Sequence, residues 1–153
     1  MPLVHDFAVI KKERLNAIYQ GYIFNNPDYL LSPVVRLDDN IILYINDSLA
    51  WTNGVNPFNQ QSCQGLCYYG YTVFDNNTVL PFEIIINKWH ELFYQAPKEF
   101  TLTGNWQITD DNQGEYEKFH IIRNELLSQL TNLIDLCKQV RHDDSLVLLH
   151  GGI

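Results

Sequence analysis

Residues 81–109 read PFEIIINKWHELFYQAPKEFTLTGNWQIT, and the spacing of their apolar side chains changes period once. Phe82, Ile85, Ile86, Trp89, Leu92 and Phe93 recur every three or four residues, the repeat that lines side chains along one stripe of an α-helix. Pro81 suits a first helical turn, where its missing N–H is not needed, and Pro97 falls just beyond the end. From Phe100 the repeat drops to two. Phe100, Leu102, Trp106 and Ile108 point one way, while Thr101, Thr103, Asn105 and Gln107 point the other. A strand with one apolar and one polar face predicts an antiparallel sheet buried on one side.

Working toward the C-terminus, the turn-forming DDNQG precedes a second helix. Asn112 and Glu115 are spaced as a capping pair, and Phe119, Ile122, Leu126, Leu130, Leu133, Cys137 and Val140 form one stripe. The tail SLVLLHGGI predicts a last strand with His150 near its end. Toward the N-terminus, YYGYTVF predicts a strand ending at Asp75, with Asn76 and Asn77 in a turn. Val34–Leu37 and Ile41–Ile45, joined by Asp38, Asp39 and Asn40, predict a hairpin. Strands, helix, strand, long helix and strand together predict an α+β fold: a mostly antiparallel sheet with two main helices on one face, the long helix followed by a short strand.

The chain of 153 residues is read as one domain spanning 1–153, since neither an internal repeat nor a Pro/Gly/Ser-rich linker divides it. Its 18 acidic against 10 basic residues give a net charge of −8. That field repels phosphate backbones and anionic headgroups and attracts basic partners, which argues against nucleic acid or a membrane as the partner. Three cysteines cannot all pair within the chain, and MPLVHDFAVIKKERLNAIY has no leader pattern, so a cytoplasmic location is expected. The sequons at Asn46 and Asn76 then carry no meaning.

Motifs for chemistry are sparse. Cys63 and Cys67 could form a metal pair with His90 or His120, but a structural zinc site would need a second pair. A catalytic thiol would need a base and a positive setting. WHELFY begins like H-E-x-x-H but carries Tyr94 where the second histidine belongs. LLHGGI resembles an esterase oxyanion loop without any G-x-S-x-G elbow, and phosphate-cradling glycine motifs are missing. No cofactor and no metal are expected. The enzymatic alternative is a small cysteine- or metal-dependent enzyme using Cys63 or Cys67 with a histidine.

Two segments point to recognition instead. Between Asn46 and Gly70 the chain lacks a clear period, and Trp51, Phe58, Tyr68 and Tyr69 alternate with amides, a mixture found on binding surfaces. Asp110, Asp111, Glu115 and Glu117 would complement the dipole of the long helix from its first turn and, with Asp47, extend a negative face.

A small acidic chain carrying NDSLAWTNGVNPFNQQ and TDDNQGEYE is similar in overall character to the immunity proteins of bacterial toxin systems, contact-dependent inhibition among them. The resemblance implies a non-enzymatic toxin inhibitor that binds one cognate toxin domain, often a basic nuclease, and covers its active site. Asp47, Asp110, Asp111, Glu115 and Glu117 would steer that partner, and Trp51, Phe58, Tyr68 and Tyr69 would supply the dry centre. A homo-oligomer seamed along the long helix is a further possibility.

Overall fold

The computed structural model describes residues 3–20, 23–109 and 113–153. Among the described residues the main sheet has six strands in the order β2-β1-β8-β5-β3-β4, each paired antiparallel with its neighbours. These strands are β1 (Val4–Lys11), β2 (Val35–Asp38), β3 (Asn53–Val55), β4 (Ser62–Gln64), β5 (Tyr71–Phe74) and β8 (Leu146–Gly151). Helix α1 (Asp39–Tyr44) and the single turn α2 (Asn46–Leu49) follow β2, and α3 (Val79–Tyr94) follows β5. A separate two-stranded ribbon, β6 (Glu99–Ile108) and β7 (Gly114–Ile122), then leads into the long helix α4 (Arg123–His142). The fold is α+β, as the change of period implied.

The first strand of the chain sits near the middle of the sheet, although no strand was expected there. VHDFAVIK does not alternate because both of its faces are covered, the pattern of a buried strand. Phe7 and Val9 enter the main core with Leu37, Phe74, Phe82, Ile86, Leu130, Leu133 and Leu148. Ala8 and Ile10 enter a second core with Val73, Val147 and Leu149, closed by Ile23 and Phe24 from the 3-10 turns that follow β1. The main helices thus pack on one face, and short turns seal the other.

Two of the expected elements differ. Ile41–Ile45 is not the return strand of a hairpin: Asp38 Oδ1 accepts the amide of Asn40 at 2.9 Å, which caps a helix at that point. Ile41 and Ile42 are then buried on one side, with Ile45 packed beside them. The long helix begins at Arg123, not near Asn112, which itself lies outside the described residues. Phe119 and Ile121 alternate in β7 opposite Leu102 and Phe100, and only from Leu126 does the stripe become helical. A strand as amphipathic as β6 needs a hydrogen-bonding neighbour, and GEYEKFHII, rich in aromatic and β-branched side chains, supplies it. Glu115 and Glu117 therefore complement no helix dipole.

Arg123 fastens this junction. Its amide donates to the Lys98 carbonyl at 2.9 Å, and its Nη1 donates to the Ala96 carbonyl at 2.7 Å, satisfying the chain just after α3. Among the described residues no helix is long and apolar enough to cross a membrane.

Candidate functional site

The ribbon changes character along its length. Near its base, Phe100 and Leu102 of β6 face Ile121 and Phe119 of β7 and pack against the main core. The register then shifts between Thr103 and Trp106, where β6 carries one extra residue. Gly104 lies in this bulge because a Cβ there would come within 2.3 Å of the Phe119 ring. Beyond the bulge the side chains of β6 change faces, so Trp106 meets Tyr116 on the side opposite Phe119. A single parity along the whole strand, as the sequence predicts, would bury Trp106 and Ile108. They are 57% and 72% exposed.

The outer half of the ribbon is therefore an arm with two unlike faces. On one, the Trp106 and Tyr116 rings meet edge to face at 4.9 Å, beside Ile108. Gly114 lies under this pair, since a Cβ there would enter the indole. On the other, Glu115 stands opposite Gln107, and Glu117 lines an open groove of about 270 Å3 with Asn40, Tyr44 and Asn105. Thr109 closes the strand ends through its amide and hydroxyl, both donating to the Gln113 carbonyl. Asp110 and Asp111 lie outside the described residues.

The other exposed rings lie in the segments between α2 and β5. Trp89 Nε1 donates to Ser48 Oγ at 2.9 Å, fixing α2 against α3. Just past α2, Trp51 projects into solvent, 73% exposed, and Asp47 is exposed one turn earlier. Phe58 is partly exposed and leans on Tyr71 with ring centroids 5.8 Å apart. Tyr69 is 83% exposed and meets Tyr68 edge to face at 4.8 Å. Tyr69 and Tyr71 line an open hollow of about 260 Å3 with the last three residues of the chain.

Tyr68 has another task. Its hydroxyl donates to Asp39 Oδ2 at 2.7 Å, and Asp39 Oδ1 lies 3.0 Å from His5 Nε2. His5 Nδ1 faces His150 Nε2 at 2.8 Å, so one proton lies between the two rings. His150 Nδ1 meets Thr72 Oγ1 at 3.4 Å, and that oxygen accepts the Cys67 amide at 2.7 Å. His5, Thr72 and His150 are wholly buried and Asp39 nearly so. Burial, and then the neighbouring His5, lower the His150 pKa well below the ordinary value. Partial burial and the Asp39 carboxylate raise the Tyr68 hydroxyl to about 12.

His5 and Thr72, the partners of His150, and Asp39, the partner of His5, were not among the expected site residues. The available signal was a histidine inside each of two apolar runs, VHDFAVI and LVLLH, where a polar ring must find a companion.

Comparison with protein-family models, curated proteins and solved structures finds no match.

Among the described residues neither Cys63 nor Cys67 hydrogen-bonds a histidine through its thiol. Cys63 Sγ lies 3.5 Å from Cys67 Sγ and 4.0 Å from the Gly65 carbonyl. Burial and the adjacent Cys67 push the Cys63 thiol up to about 11, the opposite of what a nucleophile needs. Among the described residues no group of three or more His, Cys, Asp or Glu side chains is arranged to hold a metal ion. Of the residues expected to bind a partner, Trp51, Tyr69, Asp47 and Glu115 are exposed, and Phe58 is so in part. Glu117 and Tyr68 are half-buried. Glu115 and Glu117 lie on the arm, Asp47 and Trp51 in and just past α2, and Phe58, Tyr68 and Tyr69 in the loops on either side of β4.

Proposed function

We propose that this chain is a non-enzymatic immunity protein, a bacterial cytoplasmic inhibitor that binds and neutralises a cognate toxin domain of basic, nuclease type. The observation that carries this reading is the Trp106–Tyr116 pair, more than half exposed on an arm whose opposite face bears Glu115 and Glu117. Aromatic side chains of this size are the commonest hot spots of interfaces, and surrounding acids accelerate the encounter with a basic surface. Trp51 and Tyr69, each largely exposed, offer further anchors of the same chemistry. The groups suited to proton transfer, His5, His150 and Asp39, are engaged with one another, which favours binding over catalysis.

The test is co-expression. The product of the adjacent gene, produced alone, should arrest growth, and this chain should restore it and form a 1:1 complex that weakens as salt rises. Trp106→Ala should reduce the affinity by about tenfold or more, through faster dissociation. A harmless neighbour that does not bind would overturn the reading. So would a complex indifferent to both Trp106→Ala and Trp51→Ala.

A further inference from the structure

Cys63 belongs to β4, and Cys67 follows it before β5 begins. Their sulfurs are in contact at 3.5 Å, both residues are free, and both are partly open to solvent. The backbone imposes this approach. Gly65, between them, has φ +73°, a left-handed conformation that turns the chain back on itself. Its amide is anchored to the Thr52 carbonyl at 2.9 Å, and a Cβ at this position would press on the Leu49 carbonyl. On one side β4 is held in register with β3, Cys63 opposite Gly54. On the other, the Cys67 amide is held by Thr72 Oγ1 at 2.7 Å. Both ends of the loop are fixed, and the two side chains point at each other within it.

We propose that Cys63 and Cys67 form a redox site, a dithiol that a low-molecular-weight disulfide such as oxidised glutathione converts reversibly into an intramolecular disulfide. One cysteine, as its thiolate, attacks a sulfur of the oxidant, forming a mixed disulfide and releasing one glutathione thiolate. The other cysteine loses its proton to solvent and attacks the protein-side sulfur, which expels the second glutathione. Two S–H bonds are replaced by one S–S bond, and the oxidant carries away two electrons and two protons as two glutathione thiols. The second step is favoured because the folded backbone already holds the partner sulfur in place.

The high Cys63 pKa makes the reaction slow near neutral pH and faster in mild alkali. Cys137 serves as an internal control. It is wholly buried in α4, and burial, reinforced by Glu83, raises its pKa far above the ordinary value. The bond would shorten the sulfur separation by about 1.5 Å. That contraction falls on the residue next to Tyr68, the ring tied to Asp39.

The experiment treats the whole folded protein with oxidised glutathione at about pH 8 and alkylates it under denaturing conditions, before and after dithiothreitol. The expected product is a monomer lighter by two hydrogens, with one alkylatable cysteine, Cys137, and a bond internal to the peptide holding Cys63 and Cys67. Dithiothreitol should restore three alkylatable cysteines. The oxidised form should melt about 5 °C higher, because a short loop is closed in its unfolded state. Cys63→Ser, a small change at a half-buried site, should halt at a stable glutathione adduct on Cys67. Three free thiols after treatment, a persistent adduct on the wild-type chain, or a bond involving Cys137 or a second copy would each overturn the proposal.

Discussion

The central strands and the arm depart from ordinary amphipathic patterning in opposite directions. β1 and β8 bury His5, Asp6 and His150 in the middle of the sheet, whereas the arm leaves Trp106, Ile108 and Tyr116 in water. In the first case the chain supplies its own remedy. Asp39, Tyr68 and Thr72 accept or donate along the histidine pair, and the Arg36 guanidinium lies 3.0 Å from Asp6. In the second, the rings find one another and Gly114 beneath them, yet more than half of each remains exposed. A buried polar group without a companion costs too much to persist, so it is paired within the chain. An exposed ring costs little and can await a partner.

The largest effect should come from breaking the buried side of this contrast. Asp39→Ala would strand the His5 Nε2–H and the Tyr68 hydroxyl together, and should lower unfolding free energy by about 2–4 kcal/mol in urea titrations. A loss below about 0.5 kcal/mol would mean that the network relaxes into water without penalty.

A smaller, pH-dependent effect follows from His150. Its folded pKa lies below the ordinary 6.5, so the unfolded chain takes up a proton there before the folded one does. Stability contributed by neutral His150 is present above about pH 6.5 and is lost as pH falls below it, by up to about 1.4 kcal/mol per pH unit. The groups around it are His5, Thr72 and Phe7, with Asp39 and Tyr68 one contact further away. His150→Asn should be less stable at pH 7.5 and show a flatter decline toward pH 5. Parallel curves for the two proteins would remove the residue from the acid transition.

The smallest effect on stability belongs to the arm. Trp106→Ala should cost about 1 kcal/mol or less, because the ring covers little beyond Tyr116 and Gly114. Thermal melting would show a shift of about 2–4 °C at most. A cost comparable to that of Asp39→Ala would make the ring pair a structural clamp and erase the contrast between the two regions.

How much was legible in the sequence differs between these regions for physical reasons. The stripe from Leu126 to Val140 and the helix through Trp89 were readable because one buried face leaves a clean period. β1 was not, since burial on both faces removes alternation. Asp38 and Asp39 look the same in a hairpin turn and at a helix start, and only the capping bond to Asn40 distinguishes the two. The bulge at Gly104 reversed the parity on which the placement of Trp106 depended.

The sequence by itself determined the class of fold, the acidic balance and the presence of rings and amides between Asn46 and Gly70, because these follow from local spacing and composition. Only the tertiary structure decided that His5 and His150 share a proton, that Cys63 and Cys67 touch, and that Trp106 stands in solvent. Each of these depends on pairing or register, the first between strands about 145 residues apart, and no local pattern carries that information.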